Sequence, residues 1–219
     1  MELAQMLNVQ KGVTAVIGSG GKTSLIFALA QELSANARVI VCTTTKIFPP
    51  EMPCVTDEKI EAALCKHNLI CVGTPTDAGK LSAPQTECSE LARLADYVLV
   101  EADGAKRMPL KAHAAYETVV PQEAGEVICV VGLSGIGKPI SACVHRAEIF
   151  AQNLGAELDE IATAQLVCKH LKLENLHTRV FLNQADTERE QEFGRIIAKD
   201  LGCSVCMGAL EKGWAVCLY

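Results

Sequence analysis

The chain has 219 residues, 49% of them hydrophobic and 21% charged, enough apolar mass for one sizeable core, so the expectation is a single domain over residues 1–219. A formal net charge of −6 leaves no electrostatic footprint for nucleic acid or an anionic membrane surface. No apolar run approaches the roughly 20 residues of a membrane span, and "MELAQMLNVQKG" lacks the basic-then-apolar pattern of a leader, so a cytoplasmic protein is expected.

Strand-length apolar runs alternate with segments of helical period: "VTAVIG", "TSLIFALAQELSA", "RVIVC", "KIEAALCKH", "NLICVG", "ECSELARLA", "DYVLVEA", "EVICVVG", "RAEIFAQNLG", "DEIATAQLVCKH", "RVFLNQAD", "TEREQEFGRIIAKDLG" and "SVCMGAL". This order predicts an α/β fold, a doubly wound, mostly parallel sheet with helices on both faces. Ligands of such sheets gather at the carboxyl ends of the strands.

The first strand runs into Gly18-Ser19-Gly20-Gly21-Lys22-Thr23-Ser24. Glycines admit positive φ and let main-chain amides approach an anion without a Cβ in the way. The following helix aims its positive end at the same spot. Here Lys22 is expected on the β and γ phosphate oxygens and the Thr23 hydroxyl on Mg2+. The usual P-loop glycine, six residues before the lysine, is Val16; the compact form G-x-x-G-K-T resembles that of Mur ligases and folylpolyglutamate synthetases.

After "RVIVC", Thr43, Thr44, Thr45 and Lys46 serve either the γ-phosphate and its metal or simply strand propensity. "DYVLVEADGAKR" ends a strand in Glu101 and Asp103, two carboxylates pointing the same way from an extended chain. One is expected to hold Mg2+ with Thr23, a role given to Asp103, while Glu101 orients an attacking water. Lys106 and Arg107 follow and offer positive charge. Residues 103–125 carry no clear periodicity, and a connection this long is read as functional or mobile.

A second loop, Gly132 to Pro139, keeps the regular glycine spacing, but Pro139 replaces the metal-binding hydroxyl and has no N–H to offer. It is expected to border the pocket without a nucleotide of its own. "RVFLNQAD" ends in Asn183, Gln184 and Asp186, close to the guanine-reading N-K-x-D of GTPases. Asp186 would take two hydrogen bonds from guanine and Asn183 would brace the loop; alternatively Asp186 caps the next helix. GTP and ATP both stay open. Ala209, in "MGAL", stands where a GTPase would bring a second loop to the base.

Eleven cysteines are present, several in apolar strands where they act as small hydrophobes. Cys203 and Cys206 have metal or redox spacing, but no second pair completes a ligand set.

In order, "GSGGKTS", "TTTKIFPP", "VEADGAKRMPLKAHAAYETVVP", "VVGLSGIGKPI", "CVHRAEIF" and "FLNQAD" resemble the YqeC-type selenium-dependent hydroxylase accessory proteins, also called selenium cofactor biosynthesis proteins. The resemblance implies a P-loop nucleotide-binding fold and a part in maturing selenium-dependent molybdenum hydroxylases, with the client enzyme or its pterin cofactor as partner. By position it singles out Gly104, Lys111, His145 and Arg146 beside the residues above. Lys111, His113, His145 and Arg146 are candidates to surround an anionic or selenium-bearing substrate. A small-molecule kinase or ligase that spends ATP on a pterin, selenium or carboxylate substrate is the alternative to a nucleoside triphosphatase.

Overall fold

The computed structural model describes residues 2–218. In chain order the elements begin with α1 (Leu3–Met6), β1 (Gly12–Gly18), α2 (Lys22–Ser34), β2 (Val39–Thr43), β3 (Lys46–Ile47), β4 (Cys54–Val55), α3 (Ile60–Leu64) and β5 (Leu69–Val72). Next come β6 (Thr74–Pro75), β7 (Leu81–Ser82), α4 (Cys88–Leu94), β8 (Tyr97–Glu101), β9 (Leu110–Lys111), β10 (Ala124–Gly132), α5 (Ile140–Cys143) and β11 (Val144–His145). The chain closes with α6 (Ala147–Leu154), α7 (Ala164–Glu174), β12 (Arg179–Asn183), α8 (Glu188–Leu201), β13 (Ser204–Ala209) and β14 (Trp214–Cys217). Among the described residues β1 with β8, β8 with β2, β2 with β5, β5 with β4, β10 with β12 and β12 with β13 pair in parallel, and β13 with β14 pairs antiparallel. Among the described residues no helix is long and apolar enough to cross a membrane.

The residues gather into two compact bodies. One holds the chain up to Val16, Thr23–Gly104 and Val119–Val127; the other holds Ile17–Lys22, Ala105–Thr118 and everything from Ile128 onward. In the first body the strand order is β1-β8-β2-β5-β4. Every residue of β2 is buried, as are the middle three of β8, so these strands read as unbroken apolar runs rather than alternating ones. On α2, Leu25, Ile26, Leu29 and Ala30 are buried along one stripe, which matches the helical period of "TSLIFALAQELS". The Glu32 carboxylate accepts from the Leu3 and Ala4 amides at 2.8 Å each, satisfying two amides that the start of α1 leaves without helical partners.

The second body orders its strands β10-β12-β13-β14. Phe150, Phe181, Ile128 and Leu133 are fully buried there, each contributing about 1.5–3 kcal/mol by leaving water. The pattern "DEIATAQLVCKH" predicts a helix from its first residue, but α7 begins at Ala164 because the Thr163 hydroxyl accepts from the Leu166 amide and ends the extended chain there. Residues 103–125 are not featureless. They contain β9, paired in parallel with β11, and the first two residues of β10; a two-residue strand is too short to leave a periodic trace.

Candidate functional site

In the second body, β1 ends in a turn that only glycine fits. Gly18, Gly20 and Gly21 have φ of +90°, +82° and +128°, the region that side chains disfavour. A Cβ on Gly20 would lie 2.5 Å from the Gly132 amide nitrogen and 2.8 Å from the Pro109 carbonyl oxygen. On Gly21 it would strike the Asn183 side-chain amide, and on Gly18 the Val130 carbonyl. The Ser19 amide donates to the Val130 carbonyl at 2.8 Å and its hydroxyl to the Met108 carbonyl, so Ser19 anchors the loop. Ser24 lies exposed on α2. The Lys22 side chain, buried at 5% exposure, folds back to donate to the Gly18 carbonyl at 3.0 Å.

Asn183 ties two segments to this turn. Its Nδ2 donates to the Gly20 carbonyl at 2.9 Å, and its Oδ1 accepts from the Leu210 amide at 3.3 Å. The Ala185 amide donates to the Gly208 carbonyl at 3.1 Å, and Lys212 meets Asp186 Oδ1 at 3.2 Å. "NQAD" and the stretch after β13 therefore come together, although Ala209, expected in a loop beyond its strand, is the last residue of β13. Asp186 is exposed, and the capping of α8 falls to its neighbour: the Thr187 hydroxyl accepts from the Glu190 amide while Glu190 accepts from Thr187. Gln184 adopts φ +62° and its Oε1 accepts from the Ser134 hydroxyl at 2.6 Å. The second glycine loop thus reaches the turn through Gly132 and "NQAD" through Ser134.

In the first body, Thr23, the residue after Lys22 on α2, donates to Glu101 Oε2 at 3.0 Å. The Thr43 hydroxyl donates to the Glu101 carbonyl at 2.8 Å, the Thr44 amide donates to the same carbonyl at 3.1 Å, and the Thr45 amide donates to Thr43 Oγ1 at 3.0 Å. The threonine run thereby serves as a clamp on the end of β8, with Thr43 buried and Lys46 exposed. Asp103 is fully buried. Among the described residues no three His, Cys, Asp or Glu side chains gather to hold a metal.

The four residues expected around an anionic substrate divide into two groups within the second body. Lys111, His145 and Arg146 come together: His145 pairs in register with Lys111, and both Lys111 and Arg146 bind Glu117. His113 turns elsewhere. Its Nδ1 meets Glu174 Oε2 at 2.7 Å, its amide donates to Glu174 Oε1 at 2.7 Å, and His170 Nε2 lies 3.1 Å from that same oxygen. Burial by itself pushes the Glu174 carboxyl up, but hydrogen bonds and charge from the two histidines outweigh it and hold it at about 2. A cavity of about 20 Å3 beside this cluster reaches Gly18 and Lys111, room for about one water. Glu117 lies inside one of the segments that carry the resemblance without being singled out, and Glu174 carries no motif. The one local hint is His170 and Glu174 at helical i, i+4 spacing.

"CSVC" does not act as a pair. Cys206 Sγ lies 3.2 Å from Cys217 Sγ, its opposite number on β14, while all cysteines are free thiols.

Taken together, these features define a mostly parallel α/β protein in which a first strand, a left-handed glycine turn and a helix seat a buried lysine. The chain belongs to the YqeC protein family, whose pattern matches residues 14–148. That span takes in the glycine turn, the threonine clamp, Glu101, Lys111 and Arg146 and stops before Asn183. A relative from Escherichia coli (strain K12), named Uncharacterized protein YqeC, is 37% identical over 166 residues. The alignment covers 70% of this chain and spans 64% of that relative's length.

Proposed function

We propose that the chain is a P-loop nucleoside triphosphatase that docks a nucleoside triphosphate, GTP or ATP, on residues 18–24 and acts as an accessory factor in maturing selenium-dependent molybdenum hydroxylases. The observation that carries the nucleotide reading is the turn itself: three left-handed glycines whose side-chain space is filled by backbone or by Asn183, then a buried lysine at the head of a 13-residue helix. Consecutive amides in such a turn form an anion-binding concavity, and the helix end adds roughly half a positive charge. The maturation role rests on the family resemblance.

The residues also suit Mg2+. Thr23 and Glu101 are hydrogen-bonded hard oxygen donors and Asp103 is a buried carboxylate, while no all-protein cage exists among the described residues; magnesium is ordinarily held by one or two such groups and the phosphates. Bound with the triphosphate, it would supply charge neutralisation. Lys22 exchanges its Gly18 carbonyl partner for phosphate oxygens. Glu101 orients a water and takes its proton as the water oxygen attacks the γ-phosphorus and the nucleoside diphosphate leaves. Asn183 holds the Gly20 carbonyl in place, and Asp186, released from Lys212, accepts from the base.

The test is equilibrium binding of ATP, GTP and molybdopterin nucleotides with magnesium to the wild-type chain, Lys22→Ala and Asp186→Ala. Lys22→Ala is expected to lose about 2–3 kcal/mol, roughly 100-fold in Kd, for every triphosphate. Asp186→Ala is expected to keep binding and lose base preference. A wild-type chain with no affinity for any triphosphate refutes the reading.

A further inference from the structure

A second cluster in the second body has no part in the nucleotide chemistry. The Lys111 side chain is 1% exposed and its Nζ lies 3.0 Å from Glu117 Oε2. Arg146 NH2 holds the other oxygen, Oε1, at 2.7 Å. Arg146 NH1 donates to the Tyr116 hydroxyl at 2.8 Å, with the guanidinium 5.1 Å from the Tyr116 ring centre. One carboxylate with each oxygen on a separate cation is how proteins grip ligand carboxylates and phosphates.

Three observations separate this arrangement from an ordinary structural ion pair. A buried pair adds little stability over apolar packing, and Lys111 is buried at the end of a two-residue strand. Arg146, Lys106 and Arg107 all sit at positive φ, of 65°, 45° and 60°, a conformation costing roughly 1–2 kcal/mol for a side-chain-bearing residue, and such strain concentrates at functional sites. Glu117 arrives on an outer segment: Tyr116 is 77% exposed and Ala115 is exposed, while the Glu117 side chain turns inward at 14% exposure. The half-buried His145 reports the local field. Burial first, then Lys111 and Arg146, with Lys106 adding, depress its pKa against the opposing pull of Glu117.

We infer that Lys111, Arg146 and His145 form a binding site for the carboxylate or phosphate group of a small-molecule ligand, and that Glu117 occupies it as an internal substitute which the ligand displaces. Lys111 follows three residues after Met108, whose carbonyl accepts from Ser19; the ligand is thus held on the segment that braces the glycine turn.

The experiment follows the His145 imidazole by NMR in the full chain, its resonance assigned by loss in His145→Asn, during titration with inorganic phosphate and, separately, citrate. In Glu117→Gln the internal competitor is gone, and binding is expected to tighten roughly tenfold or more over wild type, as the fraction of open site rises. In Glu117→Gln, where no internal carboxylate offsets the two cations, an added anion should also raise the His145 titration midpoint. Adding Arg146→Ala should abolish the response, and adding Lys22→Ala should leave it intact, which separates this site from the glycine turn. Response to phosphate alone assigns a phosphate group and to citrate alone a carboxylate. If Glu117→Gln does not fold by circular dichroism, Glu117→Asp, whose shorter side chain draws the carboxylate away from the two cations, takes its place with the same expectation. A His145 signal unmoved by both anions, or one that moves equally without Arg146, overturns the inference.

Discussion

Replacing Gly20 with alanine isolates the constraint on which the site is built. Its φ of +82° alone costs an alanine roughly 1–2 kcal/mol. The new Cβ also meets the Gly132 amide nitrogen at 2.5 Å and the Pro109 carbonyl at 2.8 Å, both backbone, and forcing such an overlap into packed structure adds roughly 1–3 kcal/mol. The sum, about 2–5 kcal/mol, corresponds to a Tm lowered by roughly 4–20 °C in a chain of this size. Two other glycines separate the contributions. Gly202, at the end of α8, has φ +77° with nothing within 4 Å of its Cβ position, so Gly202→Ala should show the dihedral cost alone, roughly 2–8 °C. Gly125 has neither positive φ nor a near neighbour, and Gly125→Ala should match wild type or gain slightly. Thermal melts by circular dichroism would rank the three. Gly20→Ala melting no lower than Gly202→Ala would refute the claim that backbone packing forces glycine at this turn.

Glu174, held at about 2 in the fold against an ordinary 4.5, binds its proton more readily when unfolded. Its stabilising effect is therefore complete above about pH 4.5 and lost as pH falls toward 2. Urea unfolding at pH 5 and pH 3 should show a loss on the order of 2 kcal/mol from this group, and Glu174→Gln, already less stable at pH 5, should show a smaller drop. Thr187→Ala removes the capping box of α8 and should cost about 1 kcal/mol, a Tm roughly 2–4 °C lower. Mild oxidation with diamide should link Cys206 to Cys217, which face each other across β13 and β14; peptide mapping that finds Cys203 joined to Cys206 instead would contradict the pairing.

Much of the site could be read from residue order because its parts are local. Strand, glycines, Lys22-Thr23 and helix are consecutive, and a turn confined to a few residues is dictated by their own φ preferences. Asn183 as a brace was legible from its place at a strand end. The carboxylate that meets Thr23 was not: residue order gives that place to Asp103, two residues from Glu101 on an extended chain, but the parallel pairing of β1 with β8 sets Val16 opposite Glu101 and it is Glu101 that accepts from Thr23. The threonine run was equally open until the register of β2 against β8 placed Thr43 beside Glu101 and turned its hydroxyl to a main-chain carbonyl.

The amino-acid order by itself determined the alternating α/β class, the left-handed glycine turn and the buried character of the central strands, since period, propensity and burial are properties of short windows. Tertiary structure decided the partners of the isolated charges. Glu117 joins Lys111 and Arg146, Glu174 joins His113 and His170, and Cys206 meets Cys217 instead of the nearer Cys203. A charged or thiol side chain acts over a few ångströms of space, and strand pairing sets which residues share that space however far apart they lie in the chain.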